Sequence, residues 1–192
     1  TNPLTILAGQ SGTGKTQLAL SYANMLGLSE DNHSLLFMPV SPSYNEPSDV
    51  LGYYNALNES YVPSDTGLAD FLVTASKQPE NIFMVVFDEM NLAQVEHWFS
   101  PFISILEKNI DDRYLTLYDG TLPCNNGDAY PYRIKIGENL IFVGTVNIDD
   151  TTKEFSDRLL DRAFMIELHK LSFKDYYEMH KGAKKKGNEI QS

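Results

Sequence analysis

Eight residues near the start of the chain, Gly9-Gln10-Ser11-Gly12-Thr13-Gly14-Lys15-Thr16, fit the pattern G-x-x-x-x-G-K-S/T. Glycines at those positions let backbone N–H groups wrap a phosphate without Cβ clashes. A helix starting behind them adds partial positive charge to the anion site. In such a loop Lys15 reaches the β- and γ-phosphates, and the Thr16 hydroxyl binds Mg²⁺. Gly9 to Thr16, with Gln17 behind them, are therefore the candidate nucleotide-binding residues. A second acidic element stands at Asp88-Glu89, directly after the apolar run Asn81–Phe87. Asp88 suits a Mg²⁺ acid acting through water, and Glu89 a general base that polarises the attacking water. Asn147 directly follows the apolar strand pattern Leu140–Val146, where it either orients the lytic water beside Glu89 or forms a turn. Arg158 and Arg162 lie four apart in the helical pattern Phe155–Arg162. Each is a candidate arginine finger for a neighbouring subunit's nucleotide. Alternatively, Arg158 pairs with Glu154 and Arg162 with a nearby acid.

These residues need elements to hold them. Leu4–Ala8 is a short apolar run that feeds the Gly-rich turn as a buried strand. From Thr16 to Leu26, residues Leu18, Ala19, Tyr22, Ala23 and Leu26 share one helical face, and Gly27 stops the helix. Leu35–Val40 predicts a second strand. A long insert, Ser41–Asp65, mixes Pro42, Pro47 and Pro63 with Tyr44, Tyr53, Tyr54 and Tyr61. It is either a pore or partner loop or a local hydrophobic core. Asp65 or Thr66 caps a helix running to Lys77. The run Asn81–Phe87 is continuously apolar, as a parallel strand covered on both faces requires. Leu92, Val95, Phe99, Phe102 and Leu106 predict one amphipathic helix over Asn91–Lys108, with Trp98 and Phe99 in the core. Leu115–Tyr118 and Tyr132–Ile136 read as paired strands, and Ala163–Leu168 as the last strand. Strands alternating with helices predict an α/β fold with a mostly parallel central sheet.

Composition sets outer limits. The 192 residues are 42% hydrophobic and 21% charged, ordinary for one globular domain. Fifteen Lys+Arg against 26 Asp+Glu give a net charge of −11. That opposes a broad nucleic-acid footprint, though not a narrow contact through a pore loop. Cys124 is the only cysteine, so neither a disulfide nor a cysteine-based zinc site forms within the chain, and a cytoplasmic setting fits. His33, His97, His169 and His180 show no ligand spacing. No run approaches the ~18 apolar residues of a membrane helix, so no membrane partner is expected. The chain opens at Thr1 with no leader-like stretch, and the expectation is a domain excised from a longer protein. The tail from Lys181 reads as a solvated, charged end.

The loop Gly9–Thr16, the strand Val85–Asn91 (V-V-F-D-E-M-N), the hairpin ahead of Gly144–Asn147 (G-T-V-N) and Leu159–Phe164 (L-L-D-R-A-F) together resemble AAA+ P-loop NTPases. Nearly the whole chain takes part in the resemblance. It is nearest the branch with a helix-2 insert and a β-hairpin before the sensor strand, which contains MoxR-like, dynein-like and McrB-like proteins. Within it, Asp88–Ala93 (D-E-M-N-L-A) is most similar to the McrB-like NTPases of 5-methylcytosine-specific restriction systems. Their sensor motif M-N-T-A-D-R-S is matched in kind at Asn147, Asp150 and Thr152 but not at Val146, Asp149 or Thr151, which leaves ATP and GTP both open as substrates. The resemblance implies a Walker B pair at Asp88 and Glu89, sensor 1 at Asn147 and an arginine finger at Arg162. It implies Mg²⁺ as cofactor and a homo-oligomeric ring, a hexamer, in the full-length protein. It also implies a nuclease subunit as partner, with DNA touched through pore loops or through a domain outside this chain. The competing expectation is a MoxR- or dynein-like remodelling ATPase acting on protein, and a further one is a nucleotide-gated binding module with little turnover. Residues 1–171 would form the large α/β subdomain. The helical lid would be largely absent, barely begun in 172–192.

Overall fold

The computed structural model describes residues 4–148 and 155–170. Among these residues, five parallel strands form the central sheet: β1 (Leu4–Gly9), β2 (Leu35–Pro39), β5 (Phe83–Asp88), β8 (Leu140–Asn147) and β9 (Phe164–Leu168). Their spatial order is β2-β5-β8-β1-β9. β8 therefore lies between β5 and β1, with Gly9 opposite Asn147 and Phe87 opposite Gly144. The carboxyl ends of three neighbouring strands thus carry the Gly-rich loop, the acid pair and Asn147. This is the crevice in which open α/β sheets bind ligands.

Continuous apolarity in β1, β5 and β8 follows from burial of both faces. Leu7, Met84, Val86 and Val143 face α1 (Lys15–Met25), whereas Leu4, Ile6, Val85, Phe87 and Phe142 join the larger core. That core is built on α3 (Leu68–Lys77), α4 (Val95–Trp98) and α5 (Ser100–Leu106). Trp98 and Phe99 are fully buried there, as expected, and Phe99 stacks on Phe102 at 4.7 Å between centroids. Each such side chain contributes ~1.5–3 kcal/mol on burial.

Two expectations need correction, and two are refined. The single helix over Asn91–Lys108 is broken into a 3-10 turn (Met90–Leu92), α4 and α5. Pro101 is one cause, because without an N–H it cannot continue the hydrogen bonding of α4 and is tolerated only in the first turn of α5. The other is Asn91, whose side chain is committed to β8. On α1, Ala19 and Ala23 are buried but Leu18, Tyr22 and Leu26 are exposed, so the helix meets the sheet through its small residues. With Phe164 and Ile166, Leu18 and Tyr22 line an apolar groove of about 330 Å³ beside β9. The helix before Arg162 is only α6 (Asp157–Leu160), so Arg162 lies just beyond it. Finally, α3 begins at Leu68 behind a left-handed Gly67, and Thr66 rather than Asp65 accepts the Leu68 N–H, at 3.2 Å.

The tyrosine-rich insert forms α2 (Pro47–Leu51) and a hairpin of β3 (Gly52–Asn55) and β4 (Ser60–Pro63). The second hairpin, β6 (Tyr114–Thr116) and β7 (Arg133–Lys135), pairs as the sequence suggests. The insert builds a local core with this second hairpin's loop. Tyr54 stacks on Tyr118 at 5.5 Å, Tyr61 packs on Tyr130 at 5.2 Å, and Asn126 bonds the Tyr61 backbone in both directions. The hydrogen bond to Asp70, followed by burial, pushes the Tyr130 phenol up to about 12. Burial, then Cys124, does the same to Tyr118. Both phenols therefore stay protonated donors at neutral pH. The expected start of a lid (172–192) and the stretch Asp149–Glu154 lie outside the described residues. Among those described, no helix is long and apolar enough to cross a membrane.

Candidate nucleotide site

The loop after β1 is shaped by two of its glycines. A Cβ on Gly9 would sit 2.4 Å from the Leu168 carbonyl oxygen, so only glycine lets β9 pass this closely. Gly14 caps α1 in the left-handed conformation, φ 83°, with open space where a Cβ would be. The N-terminus of α1 is thereby presented to an anion with no acidic side chain in its first turn. Lys15 is buried inside the loop. Its Nζ donates to the carbonyls of Gly9 at 2.9 Å and Gln10 at 2.8 Å. Thr13 closes the turn by donating to Gln10 O at 2.9 Å. Gln10, Ser11 and Gln17 are exposed, and Gln17 points along α1 toward Ser21.

The acid pair is held more tightly than the sequence suggests. Asp88 Oδ1 accepts from Thr16 Oγ1 at 2.6 Å and from Thr145 Oγ1 at 2.7 Å. The Thr145 hydroxyl also accepts the Glu89 N–H at 2.9 Å. Glu89 adopts φ 54°, ψ 48°. That left-handed conformation costs a non-glycine residue ~1–2 kcal/mol and is a kind of strain that clusters at functional sites. It brings the exposed Glu89 carboxylate to Asn147, whose Nδ2 donates to Oε1 at 3.0 Å. Asn147 is itself clamped by the buried Asn91. Asn91 Nδ2 donates to Asn147 O at 2.9 Å, and the Asn147 N–H returns to Asn91 Oδ1 at 3.3 Å.

Thr16, Asp88, Glu89 and Asn147 thus converge in one connected network beside Lys15. Thr16 and Asp88 present hard oxygen ligands 2.6 Å apart next to a backbone cradle, a donor set that fits Mg²⁺ with a phosphate. Among the described residues, no cluster of three or more His, Cys, Asp or Glu offers an all-protein metal cage. Arg162 lies elsewhere in the network of contacts. Its guanidinium pairs with Glu107 at 2.6 Å, the nearby acid that the sequence left unnamed. The Arg158 side chain and its expected partner Glu154 lie outside the described residues. Glu96 anchors the start of α6 by accepting the Ser156 N–H at 2.7 Å. Burial raises the Glu96 carboxyl, but hydrogen bonds led by that one outweigh it and hold the group below its usual value.

Sequence reasoning missed Thr145, Asn91 and Glu107. A signal existed for the first: Thr145 and Asn147 are polar at i and i+2 of an otherwise apolar strand, hence on one face.

The profile of the AAA domain, dynein-related subfamily, matches residues 5–163. The type IV methyl-directed restriction enzyme EcoKMcrB subunit of Escherichia coli K12 is 23% identical over 159 residues. The match takes in 83% of this chain and 33% of that protein, so the chain spans about a third of its curated relative. The solved structure of C. elegans PCH-2 aligns with a TM-score of 0.48 and 18% identity, over 99% of this chain and 41% of that one, too distant a likeness to bear on function.

Proposed function

Since this chain belongs to the AAA domain family, in its dynein-related subfamily, we propose that it binds and hydrolyses a nucleoside triphosphate with Mg²⁺ at the crevice over β1, β8 and β5. The observation that carries this reading is the shared Asp88 Oδ1, bonded to the loop threonine Thr16 on one side and tied through Thr145 to the Glu89 backbone on the other. The cradle and Lys15 bind the phosphates, while Thr16 and Asp88 would hold the metal. When bound, Mg²⁺ neutralises charge that develops on the phosphoryl oxygens. Glu89 takes the proton of the attacking water, and Asn147 orients that water and the Glu89 carboxylate together. The test is a pair of variants. Lys15→Ala abolishes binding, whereas Glu89→Gln keeps binding and loses turnover. Equal turnover in wild type and Glu89→Gln removes the general-base role.

Assembly into a ring, a hexamer, would present Arg162 to a neighbour's γ-phosphate. An arginine finger contributes ~10³–10⁵ in rate, so the separate domain is a poor enzyme. Arg162 pairs with Glu107 at 2.6 Å, and this reading has a neighbour's phosphate take the place of that carboxylate. Similarity to the restriction subunit supports a DNA-directed motor in a defence system, working with a nuclease partner. The net charge of −11 favours the second reading, a remodelling ATPase acting on protein. A modified-base reader or a nuclease partner in the full-length assembly decides for the first.

A further inference from the structure

We propose that Thr145 is a positioning residue for both members of the acid pair, acting through one hydroxyl that serves two neighbours at once. The inference rests on the Asp88 and Glu89 roles given above and extends them to a buried residue outside both motifs. Thr145 is 1% exposed, on the strand between those of Asp88 and the loop. Its Oγ1 has one proton and two lone pairs. The proton goes to Asp88 Oδ1 at 2.7 Å, which fixes the carboxylate rotamer with that oxygen also facing Thr16. A lone pair takes the Glu89 N–H at 2.9 Å. Glu89 is the residue in the left-handed conformation, and this hydroxyl accepts its N–H. The hydroxyl therefore turns the chain sharply after Asp88 while locking Asp88 in place. Two residues along the same face, Asn147 then meets the redirected Glu89 carboxylate at 3.0 Å. One side chain thus sets the metal acid and the base relative to each other.

Other hydroxyl positions in the site do not share this arrangement. Thr16 reaches only Asp88 among these two, and Thr13 only its own loop. A valine at 145 keeps the shape of the strand and removes both hydrogen bonds, whereas serine keeps the hydroxyl and loses a methyl.

The experiment compares Thr145→Val, Thr145→Ala and Thr145→Ser with wild type in the full chain. Three readouts are needed: steady-state hydrolysis split into kcat and KM, affinity for a fluorescent nucleoside triphosphate with Mg²⁺ and with EDTA, and the thermal midpoint. A positioning role predicts that Val and Ala each lower kcat about 10–100-fold, since a misplacement near 1 Å costs on the order of 10²-fold. KM stays within about twofold, and affinity in EDTA is unchanged because the cradle is untouched. Half-saturation by Mg²⁺ moves to higher concentration, because Asp88 is no longer held toward Thr16. Serine restores both quantities. A valine variant that folds and matches wild type in kcat and in Mg²⁺ dependence overturns the proposal. So does a serine variant as impaired as valine, which would assign the effect to packing of the methyl. If valine does not fold, the alanine variant, which cannot overpack, carries the same comparison. The parent reading fails in a different way: a wild-type chain whose nucleotide affinity is indifferent to Mg²⁺ and to Lys15→Ala removes the site itself.

Discussion

Asn91→Ala is the most informative single truncation near the site. Asn91 is 3% exposed, and its carboxamide makes both hydrogen bonds of a clamp on the Asn147 backbone, at 2.9 and 3.3 Å. A typical hydrogen bond contributes ~0.5–1.5 kcal/mol net, so losing two costs roughly 1–3 kcal/mol. Asn147 is half-buried, so water replaces part of what is lost and the figure belongs in the lower part of that range. For a chain of this size 1 kcal/mol moves the thermal midpoint by ~2–4 °C, which gives a drop of roughly 2–8 °C. The kinetic effect is larger in relative terms. Asn147 Nδ2 lies 3.0 Å from Glu89 Oε1, and a backbone released at Asn147 carries that contact with it. We expect kcat to fall about 10–100-fold, with KM nearly unchanged, because neither the loop nor Lys15 is affected. Asn91→Asp keeps the acceptor but turns a donor into an oxygen facing the Asn147 carbonyl, and it should be at least as damaging. Calorimetry and steady-state hydrolysis check both variants. A midpoint within ~1 °C of wild type together with kcat within twofold would refute the clamp, since the lost bonds carry at least that much.

Three further outcomes are expected. Gly9→Ala places a methyl 2.4 Å from the Leu168 carbonyl, so β9 must shift, at a cost of ~1–3 kcal/mol in denaturant unfolding. In Glu96 the folded carboxyl titrates below its ordinary value of 4.5, so its contribution is present above that pH and fades as pH falls through the lowered folded value. The stability gap between wild type and Glu96→Gln, followed by pH-dependent melting, should therefore close under acid. Arg162→Ala leaves nucleotide affinity nearly intact but lowers turnover of the full-length assembly. If affinity and turnover drop together, the arginine acts within its own chain.

The parts of the site that were legible in the sequence are those with a fixed local spacing. Gly9–Thr16 sits within eight residues, and the Asp88-Glu89 pair ends an apolar run, so motif and flanking pattern supply strand, loop and helix together. Burial of β1 and β5 on both faces is visible as unbroken apolarity. Contacts between strands distant in the chain are not visible in this way. Thr145 meets Asp88 across 57 positions and Asn91 meets Asn147 across 56, and neither pairing leaves a local trace. The break at Pro101 shows the opposite error, since a sustained 3.6-residue period masked a proline that interrupts it. On α1 the same periodicity placed Leu18 and Tyr22 on one face with Ala19 and Ala23, yet only the alanines are buried. Helical spacing tells which residues share a face but not how wide a strip of that face the sheet covers.

Nucleotide-dependent stabilisation tests the central claim most directly. Wild type and Lys15→Ala are melted with Mg²⁺ and a non-hydrolysable ATP or GTP analogue. At ~100 times its dissociation constant, a ligand of the folded state adds ~2.7 kcal/mol of stability. A shift of that size in wild type with one or both analogues, absent in Lys15→Ala, is the predicted result. No shift with either analogue, or an equal shift in Lys15→Ala, would contradict it.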